Sequence, residues 1–337
     1  MTRPTAPRIA VLGSGGWGRN HVRTWHELGA LALVCDPAEE RLEAIAPMIP
    51  GIETSTDPEA ALERDDIDGV VLATPAPTHA SLAIQAMEAG KDVLVEKPLA
   101  IDLPSAERMV ETADRTGRVL MVGHVLEYHP AVVALHDLLD RGELGPLRWL
   151  YSNRLNLGRV RTAEDVLWSL APHDIALMLR LTGQDPRSIT CRGGAYLSPG
   201  VPDTAFLGLS FSNGVEAQVF ASWLHPFKEQ RLVVVGEHAM AVFDDTLDNE
   251  HKLTVQRYQV DWSHPDAPVT ERRAGEPIDI ARTPPLRAEC EHFLERVRDG
   301  GQPLTDGRSG LRVLQVLDAG HRSMAAGGAP VGMAVAG

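Results

Sequence analysis

Short apolar runs alternate with longer amphipathic segments along the first 123 residues. The runs are RIAVLG (8–13), LALVCD (31–36), GVVLAT (69–74), DVLVEK (92–97) and VLMVGH (119–124). Segments between them, such as WGRNHVRTWHELG, PAEERLEAIAPM and LPSAERMVETADRTG, carry apolar residues at helical spacing, and several close on glycine. Strand and helix in alternation predict a doubly wound parallel sheet covered on both faces. Beyond residue 123 the pattern changes. A helix is expected over 129–142 and another over 163–183, with the segment LRWLYSNRLNLG between them. From about 187 to 256 come the strand-like runs SITCRGGAYL, TAFLGLSFS, VEAQVFASWL, QRLVVVGEH and MAVFDD, separated by turn signals such as SNG. Consecutive strands with few helices between them predict a large, mostly antiparallel open sheet, and helices near 284–299 and 307–326 close the chain. The expected organisation is an α/β domain over 1–123 followed by an α+β domain over 124–337.

Composition narrows the function classes. The 337 residues suffice for two cores, and 44% hydrophobic with 23% charged residues is ordinary for a globular protein. A formal charge of −14 disfavours nucleic acid and anionic membranes as partners, because both require a basic face. Cys35, Cys191 and Cys290 are widely spaced and lack metal-ligand spacing, so free thiols in a reducing compartment are expected and no metal site. The N-terminal MTRPTAPR leads straight into a strand-like run without the apolar core of a signal peptide, which predicts a cytoplasmic protein.

The chemistry begins at VLGSGGWGRN. Gly13, Gly15 and Gly18 form G-x-G-x-x-G between the first strand and the first helix, and Asp36 ends the second strand 23 positions after Gly13. That context predicts a Rossmann dinucleotide site. Gly13 would permit the tight turn, Gly15 would let backbone approach the pyrophosphate, and Gly18 would let helix pack on strand. Gly16 and Trp17 lie on the same cofactor-facing loop. Asp36 could accept hydrogen bonds from the adenosine ribose and would repel a 2′-phosphate, which favours NAD over NADP, although Arg41 one helix turn on leaves dual use open. In such sheets ligands bind beyond the carboxyl ends of the strands. ATPAPTH (73–79), with Thr74, Pro75 and His79, and VEKP (95–98), with Glu96 and Lys97, therefore belong where cofactor meets substrate.

With GSGGWG, ATPAPTH, VEKPLA, GELG and a mid-chain histidine motif in this order, the chain resembles the Gfo/Idh/MocA oxidoreductases over nearly its whole length. The family acts mainly on sugars, cyclitols and their derivatives. The resemblance implies that Lys97 bonds the reacting hydroxyl and that Glu96 orients cofactor or lysine. It also implies that His173, in WSLAPHDIAL (168–177), is the general base. Many relatives carry D-x-G-x-H-D there; this chain has Ser169 and Ala171 where Asp and Gly are common, so proton handling would fall on His173 and Lys97.

Substrate cues pull in two directions. Glu127, where many relatives have arginine, is either simply exposed or favours an amino group. Arg154, Arg159 and Arg161 read either as a solvated face or as a clamp for phosphates or a carboxylate; Ser169 and Asp174 are further candidates for substrate binding, with a structural role for Asp174 equally open. The resemblance is to the branch that oxidises the C3 hydroxyl of amino sugars, either nucleotide-linked or in aminoglycoside antibiotic pathways. There the 3-keto product normally passes to a PLP-dependent aminotransferase. The rivals are a keto-sugar reductase, NAD-assisted glycoside cleavage and a non-catalytic NAD sensor. An open sheet of this size usually needs cover, so a homodimer or homotetramer is expected.

Overall fold

The computed structural model describes residues 6–158, 161, 164–261, 263 and 266–333. It contains two compact units, residues 1–128 with 284–314 and residues 129–283 with 315–337. This division differs from a single boundary near residue 123, because the chain returns to the first unit after completing most of the second.

The first unit follows the alternation of its sequence: β1 (Ile9–Leu12), α1 (Gly18–Glu27), β2 (Leu31–Cys35), α2 (Glu39–Glu43), β3 (Glu53–Ser55), α3 (Pro58–Leu62), β4 (Gly69–Leu72), α4 (His79–Glu88), β5 (Asp92–Glu96), α5 (Leu103–Thr116) and β6 (Leu120–Gly123). All six strands are parallel, in the order β3-β2-β1-β4-β5-β6. β1, β4 and β6 are buried at every position, as strands covered on both faces must be. β3 has no apolar run of its own; parallel pairing with β2 makes Glu53–Ser55 an edge strand.

The second unit starts with α6 (Pro130–Asp140), β7 (Leu147–Leu155), α7 (Val166–Leu170) and α8 (Pro172–Thr182). Pro172 separates α7 from α8 where one helix over 163–183 was expected, since proline brings no backbone N–H to continue the first. The strands that follow are β8 (Ser188–Gly194), β9 (Thr204–Ser210), β10 (Glu216–Ser222), β11 (Glu229–Gly236), β12 (Ala239–Asp244), β13 (Leu253–Asp261), β14 (Val269–Arg272) and β15 (Glu276–Pro277). Helices α9 (Pro285–Asp299) and α10 (Gly307–Ala325) and the short β16 (Val331–Gly332) close the chain. The sheet runs β14-β13-β12-β11-β7-β10-β9-β8-β16, with β15 on β13, and its one parallel pair among the described strands is β7 with β10. In β9 and β10, buried Ala205, Leu207, Leu209, Ala217 and Val219 alternate with residues of the opposite face, where Phe206 stacks on Phe220 at 4.2 Å.

α9 belongs to the first unit because of what it buries. Phe293 meets Trp25 of α1 edge to face at 6.0 Å, and Cys290, Phe293 and Val297 join the core formed by Ile9, Val11, Val22, Val71 and Leu94. Among the described residues, no helix is long and apolar enough to cross a membrane.

Candidate active site

The glycine loop follows β1. Gly13 has φ of +93°, and a Cβ there would meet the Ala73 carbonyl oxygen at 2.5 Å, so both the turn and the close approach require glycine. A Cβ on Gly18 would meet the Gly13 carbonyl oxygen at 2.0 Å, which fixes the packing of α1 against the loop. Gly15 and Gly16 differ: a Cβ on either meets nothing within 4 Å. Open space above these two glycines, at the N-terminus of a ten-residue helix, fits a pyrophosphate bound by backbone N–H groups.

Asp36 lies just beyond β2 and is buried. Its Oδ2 accepts the Ser14 backbone N–H at 2.8 Å and the Ser14 hydroxyl at 3.1 Å, and Oδ1 accepts the Ala38 N–H at 3.0 Å. Burial raises its pKa, but these donors and the Arg41 guanidinium at 3.5 Å outweigh that and hold the carboxyl below its ordinary value. The aspartate is therefore ionised, and it ties β2 to the glycine loop.

β4 and β5 end in two turns that a histidine joins. His79 Nδ1 lies 2.9 Å from the Pro98 carbonyl oxygen and Nε2 lies 2.9 Å from that of Thr74. Burial lowers its pKa despite both carbonyls, and the ring, which as neutral imidazole donates to one of them at a time, lies between the Thr74–Pro75 and Glu96–Pro98 turns. Thr78 Oγ1 sits 2.8 Å from Thr74 Oγ1 and braces the first turn. The Lys97–Pro98 bond is cis. Glu96 Oε1 accepts the Trp17 indole N–H at 2.5 Å and lies 2.6 Å from His21 Nε2. Burial pushes the Glu96 carboxyl up, but the His21 and Trp17 contacts and the Lys97 charge hold it below the ordinary range. The E-K-P turn is thus fastened to the glycine loop within one unit. Buried His124 senses the same charge: burial first and Lys97 second lower its pKa to about 4. Glu127 is 3% exposed, in a short helical turn over Val125–Tyr128, which removes the simply exposed alternative.

In the second unit, half-buried His173 occupies the first turn of α8, one residue after Pro172. Asp174 beside it is engaged internally. Its Oδ2 accepts Arg154 Nε at 2.5 Å, and its Oδ1 accepts Arg154 Nη2 at 3.1 Å and the Ser152 hydroxyl at 2.5 Å. Arg154 lies on β7 rather than on a loop, and it is 8% exposed. Ser152 and Arg154 are two residues apart, so the strand presents both on one face to α8. Arg161 is exposed and paired with Glu164 at 2.5 Å, and Arg159 lies outside the described residues. Arg154 and Arg161 are thus each paired with an acidic residue of their own unit. Ser169, at the end of α7, is buried.

Sequence reasoning missed His21 and Glu289. His21 could have been found, because it sits four residues after Trp17, one turn along α1. Glu289 carries no local signal: it lies 193 positions after Glu96, and only folding brings α9 to that site.

A parallel sheet in the order 3-2-1-4-5-6, a glycine loop after β1 and an acid after β2 define a dinucleotide-binding Rossmann unit, here coupled to an α+β unit. Sequence comparison agrees: residues 7–124 match the oxidoreductase family with an NAD-binding Rossmann fold, and residues 132–242 match the GFO/IDH/MocA C-terminal domain. The chain belongs to the GFO/IDH/MocA family and is an oxidoreductase that acts on CH–OH groups with a nicotinamide cofactor. UDP-N-acetylglucosamine 3-dehydrogenase of Acidithiobacillus ferrooxidans is 29% identical over 311 residues, 91% of this chain and 94% of that protein. scyllo-Inositol 2-dehydrogenase (NAD(+)) of Bacillus subtilis is 29% identical over 312 residues, 88% of each chain. A solved structure from Magnetospirillum magnetotacticum superposes with a TM-score of 0.82 at 31% identity, covering 93% of this chain and 99% of that one. The Acidithiobacillus ferrooxidans enzyme also superposes with a TM-score of 0.82, at 28% identity over 96% of this chain and 99% of its own.

Proposed function

We propose that the protein is an NAD-dependent dehydrogenase that oxidises the C3 hydroxyl of an amino-sugar unit to a ketone. The observation that carries this reading is the E-K-P turn fastened to the glycine loop, in a chain similar over 91% of its length to a UDP-N-acetylglucosamine 3-dehydrogenase. NAD, when bound, supplies the hydride acceptor. Lys97 donates a hydrogen bond to the substrate hydroxyl and stabilises the alkoxide-like charge that grows as hydride leaves. His173, as neutral imidazole, takes the hydroxyl proton. The substrate thereby loses one proton to the protein and one hydride to the cofactor, leaving the ketone.

Cofactor choice follows from charge. Ionised Asp36 repels a 2′-phosphate and favours NAD, and half-exposed Arg41 offsets it only in part. Neither charge cue selects the sugar carrier: Arg154 is held by Asp174, and Glu127 is buried. The near-full-length relative tips the reading toward a nucleotide-linked hexosamine over an aminoglycoside. A 3-keto product suits transamination by a PLP enzyme. The aromatic outer face of the large sheet, with Phe206 54% exposed and Trp149 39% exposed, supports a homodimer or homotetramer. A cytoplasmic location fits a cofactor and substrates of central metabolism.

The test is absorbance at the reduced-nicotinamide band with purified protein, NAD, and a panel of UDP- and TDP-hexosamines, hexosamine uronic acids and aminoglycosides. Signal with UDP-hexosamines supports the reading, and signal only with aminoglycosides replaces the substrate class. A flat trace with NADH consumption on a 3-keto sugar reverses the direction.

A further inference from the structure

Behind the E-K-P turn, the first unit buries a second carboxylate that the proposed chemistry does not use. Glu289 of α9 is 0% exposed, and neither of its oxygens has a hydrogen-bond partner among the described residues. One ligand-type atom from each of His21, Glu96 and Glu289 lies within 4.8 Å of the others. Two carboxylates this close, away from water, cannot both ionise beside a single imidazole without severe repulsion and desolvation. Glu96 already accepts from Trp17 and contacts His21, whereas Glu289 has no such donor. The remaining proton therefore belongs on Glu289.

We propose that His21, Glu96 and Glu289 form a buried proton-holding triad in which Glu289 stays a neutral acid and directs its O–H toward the Glu96 carboxylate. Burial and the Glu96 charge both push the Glu289 carboxyl well above its ordinary range. The other groups around the triad do not displace the proton. The Cys290 thiol, with Sγ 4.0 Å from His21 Nδ1, is raised by burial and by the charges of Glu96 and Glu291 and stays neutral. Tyr128, 3.1 Å from the Thr305 hydroxyl, stays neutral because burial, and with it the Glu127 charge, raises it. His124 is neutral, and Lys97 supplies positive charge on the Glu96 side. Gly123 makes room for the arrangement, since a Cβ there would approach the Glu96 carboxylate at 3.0 Å.

The triad ties four segments together. Glu96 Oε1 holds Trp17 of the glycine loop and His21 of α1, its Oε2 lies 3.3 Å from the Lys97 backbone N–H, and Glu289 brings in α9. Glu289 is thus a positioning residue for the cofactor loop and the E-K-P turn. Its bearing on catalysis rests on the reading of Lys97 given above; its protonation does not.

The experiment compares the cofactor-free protein with Glu289→Gln. A carboxyl whose folded pKa is raised contributes stability below its unfolded value near 4.5, and this is lost as pH rises toward the folded value. Glutamine cannot ionise. The native melting temperature therefore falls relative to the variant by about 3 °C per pH unit between pH 5 and 7. Parallel melting curves would overturn the proposal. Should the variant fail to fold, native protein labelled with carbon-13 glutamate serves instead. One carboxyl resonance at the neutral-acid position from pH 5 to 7 supports the triad, and full ionisation of all glutamates refutes it. One equivalent of metal in protein purified without chelator, removable with loss of stability, also refutes it. For positioning, calorimetric NAD binding weakens about tenfold in Glu289→Leu and is restored by glutamine; equal effects of the two substitutions would sink that link.

Discussion

Lys97 and His173, the two residues proposed to act on one hydroxyl, are held by different kinds of structure. Lys97 follows β5 in a turn whose neighbours are all committed: Glu96 to Trp17 and His21, and Pro98 to His79 through its carbonyl. His173 stands on the first turn of a helix, and its charged neighbour Asp174 is turned into the unit to pair with Arg154. In the first unit, therefore, charge around the candidate residue is organised toward the cofactor loop. In the second, the nearby charge serves the packing of helix on sheet. Motifs alone do not separate these cases, because a buried ion pair and a substrate clamp draw on the same residue types.

The comparison is broken most directly at Lys97. Lys97→Ala should lower kcat/KM at least a hundredfold, with the NAD dissociation constant from calorimetry changed less than about threefold; a large loss of NAD binding instead would make the lysine a cofactor anchor. The contrast with the second unit is tested by Asp174→Asn, which leaves the Arg154 charge buried without its partner. That loss should cost about 3–5 kcal/mol in urea unfolding. Arg154→Met combined with Asp174→Leu should recover most of it, whereas a substrate role for the pair would leave stability high and KM raised. Within the first unit, Gly15→Ala should keep the melting temperature within about 2 °C while weakening NAD binding roughly tenfold. Asp36→Ser should reduce the NAD over NADP preference about tenfold by removing a fixed negative charge, as read from kcat/KM with each cofactor. Arg161→Ala should do least, changing stability by less than about 0.5 kcal/mol, because its pair with Glu164 is exposed to solvent; a marked rise in KM for a nucleotide sugar would restore it as a phosphate ligand.

Much of the first unit was legible because its information is local. Five of its six strands announced themselves as apolar runs, and the glycine loop declared itself by residue type, since Gly13 and Gly18 tolerate no Cβ. β3 was invisible: Glu53–Ser55 is a strand only because β2 offers it an edge. β7 was likewise unassigned, as its RWLYSNR stretch mixes polar and aromatic residues that a central strand accommodates by facing α8 on one side.

By itself the sequence determined the class of sheet, the cofactor loop, the E-K-P turn and the histidine on α8, because each depends on residues within a few positions of one another. Tertiary structure decided which charges are spent internally. It paired Arg154 with Asp174, buried Glu127, made His79 a strut between two turns, and brought Glu289 beside Glu96 across 193 positions. Burial and long-range approach set the solvation and the partners of an ionisable group, and neither is encoded in the residues next to it.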